Sequence, residues 1–152
     1  MALMSLVGDD TLLINDRPVH LEFLEGDTAT IDFPNELVSL STGKNKNTIY
    51  AKNESGSNFD LTFNVMRGGA VDKFLNGLQI QQNEDWAAFN LMTGAFTKRL
   101  GNGQGRVTYD TYMLQGMVFV KPVPTKGNVS GDGEQGKAQY TLRGALAVRA
   151  LS

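Results

Sequence analysis

Between Phe59 and Met66 apolar and polar residues alternate without a break. Phe59, Leu61, Phe63 and Val65 fall on one parity, and Asp60, Thr62 and Asn64 on the other. Period-two alternation sends successive side chains to opposite faces, which predicts a strand with one buried side. Shorter runs predict more strands. "TLLIN", residues 11–15, is a short apolar strand followed by a turn at "DRP". "VHLEFLEGDTATIDF", residues 19–33, alternates on both sides of "EGD" at 25–27. Leu21, Phe23, Ile31 and Phe33 stand at strand spacing, so a hairpin ended by Pro34 is expected. "TIYAKN" is a strand and "ESGSN" a turn. "AAFNLMTGAFTKRL", residues 87–100, is another strand, and "GNGQG", 101–105, a glycine turn. "RVTYDTYMLQGMVFVKP" is a long strand bent at Gly116 and ended by Pro122 and Pro124. After a polar loop, "AQYTLRGALAVRALS" closes the chain as one strand. Tyr140, Leu142, Leu146 and Val148 share one parity of it, and Thr141, Arg143 and Arg149 the other.

One stretch has a different period. Val71, Phe74, Leu75 and Leu78 lie at i, i+3, i+4 and i+7, the spacing of one helix face, after Arg67-Gly68-Gly69 breaks the preceding strand. A helix over about residues 70–83 is predicted, and no other. Residues 34–48, "PNELVSLSTGKNKNT", are polar and weakly periodic, and predict a long connection or a protruding hairpin. The chain then reads as a single, mainly β domain over 1–152 with an arm at 34–48.

Composition narrows the function more than the fold. A length of 152 residues suits one domain. Gly at 17 against Pro at 4 fits many turns between short strands. With no cysteine, disulfides, zinc–thiolate sites and thiol nucleophiles are excluded. The net charge is −2 and Lys and Arg are scattered, with "TGKNKN" the closest cluster, so tight phosphate-neutralising contact with nucleic acid is not expected. "MALMSLVGDD" has neither the basic start nor the apolar core of a signal peptide. No run approaches the roughly 18 apolar residues of a membrane span.

Candidate chemistry is sparse. Gly131, Gly133 and Gly136 spell G-x-G-x-x-G, but a dinucleotide site needs a helix after the last glycine. The residues after Gly136 alternate with period two, so a hairpin loop is expected. His20 is the only histidine, and no G-x-S-x-G nucleophile turn accompanies it. Asp9, Asp10, Asp16, Asp27 and Asp32 match no calcium loop, and Asp132 and Glu134 read as a solvated loop. Trp86 follows Glu84-Asp85; a sugar platform is one reading, packing of the helix end against the sheet the plainer one. Asn53 and Asn128 head glycosylation triplets that carry no weight without a secretory signal. No catalytic, cofactor or metal site is predicted, and no enzyme; the pattern suits a structural or binding role.

Three segments together resemble a known family. They are "TGKNKNTIYAKNESGSNFDLTFNVMRGGAVDKFLNGL", "WAAFNLMTGAFTKRLGNGQG" and "TYDTYMLQGMVFVKP". They look like the tail tube proteins of contractile-tailed bacteriophages, whose relatives form the tubes of phage-tail-like bacteriocins and of type VI secretion. The strand-to-helix step "VMRGGAVDKFLNGL" is the most specific piece, and the match spans about residues 10–150. The resemblance implies a sandwich or barrel of two β-sheets flanked by the one helix. It implies six-membered rings stacked into a tube inside a contractile sheath, with DNA passing from capsid to cell. It also implies sheath, baseplate and tape-measure proteins as partners, and residence in a virion assembled in the host bacterial cytoplasm. In that frame Asp60, Thr62, Asn64, Gln139 and Thr141 are candidates for a lumen-facing surface. Arg143 and Arg149 are candidates for ion pairs between subunits. Ser41, Thr42, Gly43, Lys44, Asn45, Lys46 and Asn47 are candidates for an arm between rings. A secreted type VI-like tube and a carbohydrate-binding β-sandwich remain the alternatives.

Overall fold

The computed structural model describes residues 2–6, 8, 10–24, 29–127, 129, 131 and 133–152. The strand predicted from alternation forms as β7, Phe59–Met66; its apolar parity is buried and its polar parity half-exposed up to Met66. β10, Lys137–Gly144, pairs with it antiparallel over its full length and buries Ala138, Tyr140 and Leu142 on the same side. β4, Ala29–Asp32, pairs on the other side of β7. β2, Thr11–Ile14, β8, Met92–Gly101, and β9, Val107–Phe119, run side by side. The two-residue strands β1, Ser5–Leu6, and β3, Arg17–Pro18, flank them, and β11, Leu146–Leu151, lies against the first half of β9.

β9 ties the two groups together, because its last residues pair with β10. The strand order is β3-β2-β8-β9-β10-β7-β4. β9 changes direction at Gly116, whose φ of +69° is a conformation that glycine adopts freely and other residues resist. A register shift beside it in the β8–β9 ladder marks a bulge, which bends a strand and increases its twist. The two sheets so defined share one core that includes Leu12, Ile14, Phe59, Leu61, Phe63, Leu114, Met117, Tyr140 and Leu142. The result is a two-sheet β-sandwich flanked by one helix.

That helix is α1, Ala70–Glu84, and it buries Val71, Leu75 and Gln82. Gly69 precedes it without a capping side chain of its own. Glu22 supplies the cap from a distance: its two carboxylate oxygens accept from Ala70 N and Val71 N, both at 3.1 Å. A carboxylate there satisfies orphan N–H groups and complements the positive end of the helix dipole. Farther along, the buried Gln82 amide donates from Nε2 to Phe119 O and accepts from Phe119 N at Oε1, both at 2.9 Å. Tyr140 donates its hydroxyl to the Asp72 carboxylate. Burial first, then the Asp72 hydrogen bond and charge, raise the Tyr140 phenol well above its ordinary value.

Three sequence expectations need correction. Residues 20–22 form a 3-10 turn, not a strand; Leu21 is exposed, and Phe23 makes only an isolated bridge to Val65. The recruitment of Glu22 to the helix accounts for that turn, and the proposed 25–27 hairpin turn lies outside the described residues. Residues 85–91 are turn and coil, and the strand begins only at Met92. The closing strand is two strands. At Ala145, which meets the Gly116 bend, the buried parity slips by one: β10 buries even positions, whereas Ala147 is the β11 residue packed on the core. Leu146 and Val148 therefore face outward.

Candidate functional site

The polar parity of β7 and β10 forms one surface. Register aligns Thr141 with Thr62 and Thr62 with Thr30, a row of three threonines across three strands. One row over, Arg143 stands beside Asp60 and Asp60 beside Asp32; on the other side Gln139 stands beside Asn64. Asp60, Thr62, Asn64, Gln139 and Thr141 are thus brought together on the face opposite the core. Thr30 and Asp32 belong to this face as well, and "ATID" carries the same alternation. A shallow cavity of about 400 Å³ is lined in part by Thr30, Asp32, Asp60, Thr62, Thr141 and Arg143. Hydroxyls and amides hydrate well; Lys121 and Arg143 line this cavity with them, and Arg67, Lys126 and Lys137 line another beside Asn64 and Gln139.

Arg143 has a partner in its own chain. Arg143 Nε donates to Asp60 Oδ1 at 2.7 Å. The hydrogen bond first, then the charge of Asp60, raises the guanidinium above its ordinary value. Arg149 sits elsewhere, because the parity slip at Ala145 separates its strand from β10. It makes a two-pronged contact with Asp110, Nε to Oδ1 at 2.9 Å and a terminal nitrogen to Oδ2 at 3.0 Å, with its guanidinium 6.0 Å from the Tyr112 ring centroid. Asp110 is buried, and Lys98 is its register neighbour on β8, itself paired with Asp10 at 3.2 Å. Arg143 and Arg149, the candidates for pairs between subunits, each hold a carboxylate within this chain.

The stretch at 34–48 contributes the first strand and the tip of a hairpin. β5, Val38–Thr42, pairs with β6, Thr48–Lys52, and every residue of both is exposed. Ser41 to Asn47 make its tip, where Asn45 and Lys46 both take φ of +62°. The base is fixed: Asn53 N donates to Leu37 O at 2.8 Å, and a Cβ on Gly56 would stand 2.8 Å from Leu37 Cα. Above that base Val38, Leu40, Ile49 and Tyr50 present apolar surface to water, Tyr50 at 74% of its full exposure. A two-stranded hairpin is at best marginally stable by itself.

At the other end of α1, a groove of about 370 Å³ is lined by Leu78, Ala88 and Phe89 together with Asn15, Glu84 and Asp85. Trp86 beside it is 63% exposed. The expectation that it packs the helix end against the sheet is corrected. His20 is half-buried, its Nδ1 3.3 Å from the Leu12 backbone. Gly133–Gly136 form a 3-10 turn that enters β10, so no helix follows the glycines. Asp9, Asp27, Asn128, Ser130 and Asp132 lie outside the described residues. Among the described residues no three of His, Asp or Glu come together as a metal site, and no helix is long and apolar enough to cross a membrane.

The sequence matches no protein-family model and no curated protein. Solved structures do share its fold. The chain is similar to the cap of the anti-feeding prophage, described as its tube-terminating cap, with a TM-score of 0.60 and 13% identity over 94% of this chain and 88% of that one. It is similar to a chain of the sheath–tube complex of PVC, an extracellular contractile injection system, in the extended state. That match has a TM-score of 0.58 and 9% identity over 96% and 90% of the two chains. A chain from the sheath/tube terminator of the same system matches at a TM-score of 0.55 and 15% identity over 95% and 94%. At these identities the likeness is one of fold.

Proposed function

We propose that this chain is a non-enzymatic, self-assembling subunit of the inner tube of a contractile tail, forming six-membered rings that stack into a conduit. The observation that carries the reading is the polar face of β4, β7 and β10, set on a fold shared along nearly the whole chain with chains of a tube-terminating cap, a sheath–tube complex and a sheath/tube terminator. A conduit wall needs one sheet face committed to the subunit core and the other hydrated. It must also let phosphates slide past without capture, which rows of threonine and amide with Arg143 already held by Asp60 favour. In this reading Asp60, Thr62, Asn64, Gln139 and Thr141 face the lumen, joined by Thr30 and Asp32. Rings close through a heterologous contact that rotates, and a second heterologous contact stacks them. The Ser41–Asn47 tip supplies the second contact. Sheath, baseplate and tape-measure proteins are the partners, DNA is the transient cargo, and the virion is the place.

A second reading has support in two of the three structural relatives, which come from a cap and a terminator. In it the chain forms a ring that ends a tube. Negative-stain microscopy of the purified protein separates the two: rings that stack into rods support the tube, single rings or ring pairs support the cap, and a featureless monomer contradicts both.

A further inference from the structure

We propose that the groove at the C-terminal end of α1 is the docking site for the β5–β6 hairpin of a second copy of this chain. The inference rests on the ring-and-tube reading and names the receptor that reading leaves open. Charge complementarity carries it. Residues 38–52 contain Lys44, Lys46 and Lys52 and no acidic residue. Between Lys73 and Lys98 the only charged residues are Glu84 and Asp85, and both line the groove. Among the described residues none of these five side chains makes an ion pair within its own chain. The negative end of the α1 dipole adds to the pull on a lysine at the same place.

Shape and polarity agree with charge. The hairpin offers Leu40 directly opposite Tyr50 in register, both largely exposed, so one face presents an apolar pair behind a basic tip. The groove offers Leu78, Ala88 and Phe89, and the exposed Trp86 and Leu91 follow its lining residues Asp85 and Asn90 in the chain. Aromatic anchors in apolar pockets dominate protein interfaces, and rim charges fix register and suppress wrong partners. The hairpin and the groove are different patches, so the contact is heterologous and repeats from copy to copy, as stacking requires.

The test uses the full chain at low salt, with assembly read by sedimentation and each variant checked by circular dichroism. Lys44→Glu with Lys46→Glu lowers the assembled fraction at least about tenfold, because like charges meet in the groove. Glu84→Lys with Asp85→Lys does the same, and all four changes in one chain restore assembly. The chain lacks cysteine, so engineered thiols report a contact uniquely. Asn45→Cys protein mixed with Asn90→Cys protein yields, on oxidation, mainly the mixed dimer. A wild type that assembles while neither reversal weakens it, or reversals that do not rescue each other, overturns the docking site and leaves the tube reading standing. A wild type that stays monomeric at every concentration overturns the tube reading itself, and the docking with it.

Discussion

Gln82→Ala removes the two hydrogen bonds that tie α1 to the last residue of β9. In the wild type the Gln82 amide stands where a neighbouring strand would, donating to Phe119 O and accepting from Phe119 N, each at 2.9 Å. Alanine leaves that N–H and that C=O without their partner in a place where Gln82 itself is only 8% exposed. A buried group left unsatisfied costs about 1–3 kcal/mol, so the pair costs about 2–5 kcal/mol once partial relaxation is allowed. For a domain of this size each kcal/mol lowers Tm by about 2–4 °C, which gives a fall of about 4–20 °C. Scanning calorimetry measures it directly. Gln81→Ala, the same chemistry on an exposed neighbour, is the control and stays within about 0.5 kcal/mol. A Gln82→Ala protein melting within the spread of that control would refute the claim that this amide anchors the helix. It would also weaken the placement of Glu84 and Asp85, which lie just beyond the anchor in the chain.

Deleting Ser41 to Asn47 removes only exposed residues at the hairpin tip. The variant is expected to keep the wild-type circular dichroism spectrum and lose the ability to form long tubes in electron micrographs; an unfolded product would contradict the arm. Tyr140 bears on pH: its folded phenol titrates above the ordinary value of about 10, so its contribution is fully present below that pH and is lost as pH rises through the higher folded value. The stability gap between wild type and Tyr140→Phe in chemical denaturation is therefore expected to be constant up to about pH 10 and to narrow above it. Gly144→Ala drives a Cβ into the buried Phe59 ring, so the ring must move, at about 1–3 kcal/mol by thermal melting. Free duplex DNA at physiological salt is expected to bind no tighter than about 10⁻⁴–10⁻⁶ M; fluorescence anisotropy giving a sub-micromolar Kd would contradict the slippery wall.

Local pattern makes some elements legible and tertiary contact hides others. β7 is readable because one side of it is core and the other is not, and α1 because Val71 and Leu75 are buried at helical spacing. The 3-10 turn at 20–22 is not, since Glu22 is committed to a helix start 48 residues away. The split of the last strand is hidden for a similar reason. "LRGALAV" alternates smoothly, and the parity slip comes from a bend at Gly116 on a different strand. That slip is why spacing alone puts Leu146 and Val148 inside and groups Arg149 with Arg143. The polar set is legible strand by strand, but its alignment into one surface depends on a register that sequence spacing does not fix. Trp86 escapes the sequence reading because apolar character predicts burial only on average.

The central claim is that this chain builds rings of six that stack. Sedimentation velocity of the purified protein across a concentration series, read beside negative-stain images of the same fractions, tests it most directly. The account predicts a species six times the chain mass, seen end-on as a six-fold ring with an open centre, and longer rods as concentration rises. A single species of one chain mass at every concentration, with no ring in the images, would contradict it.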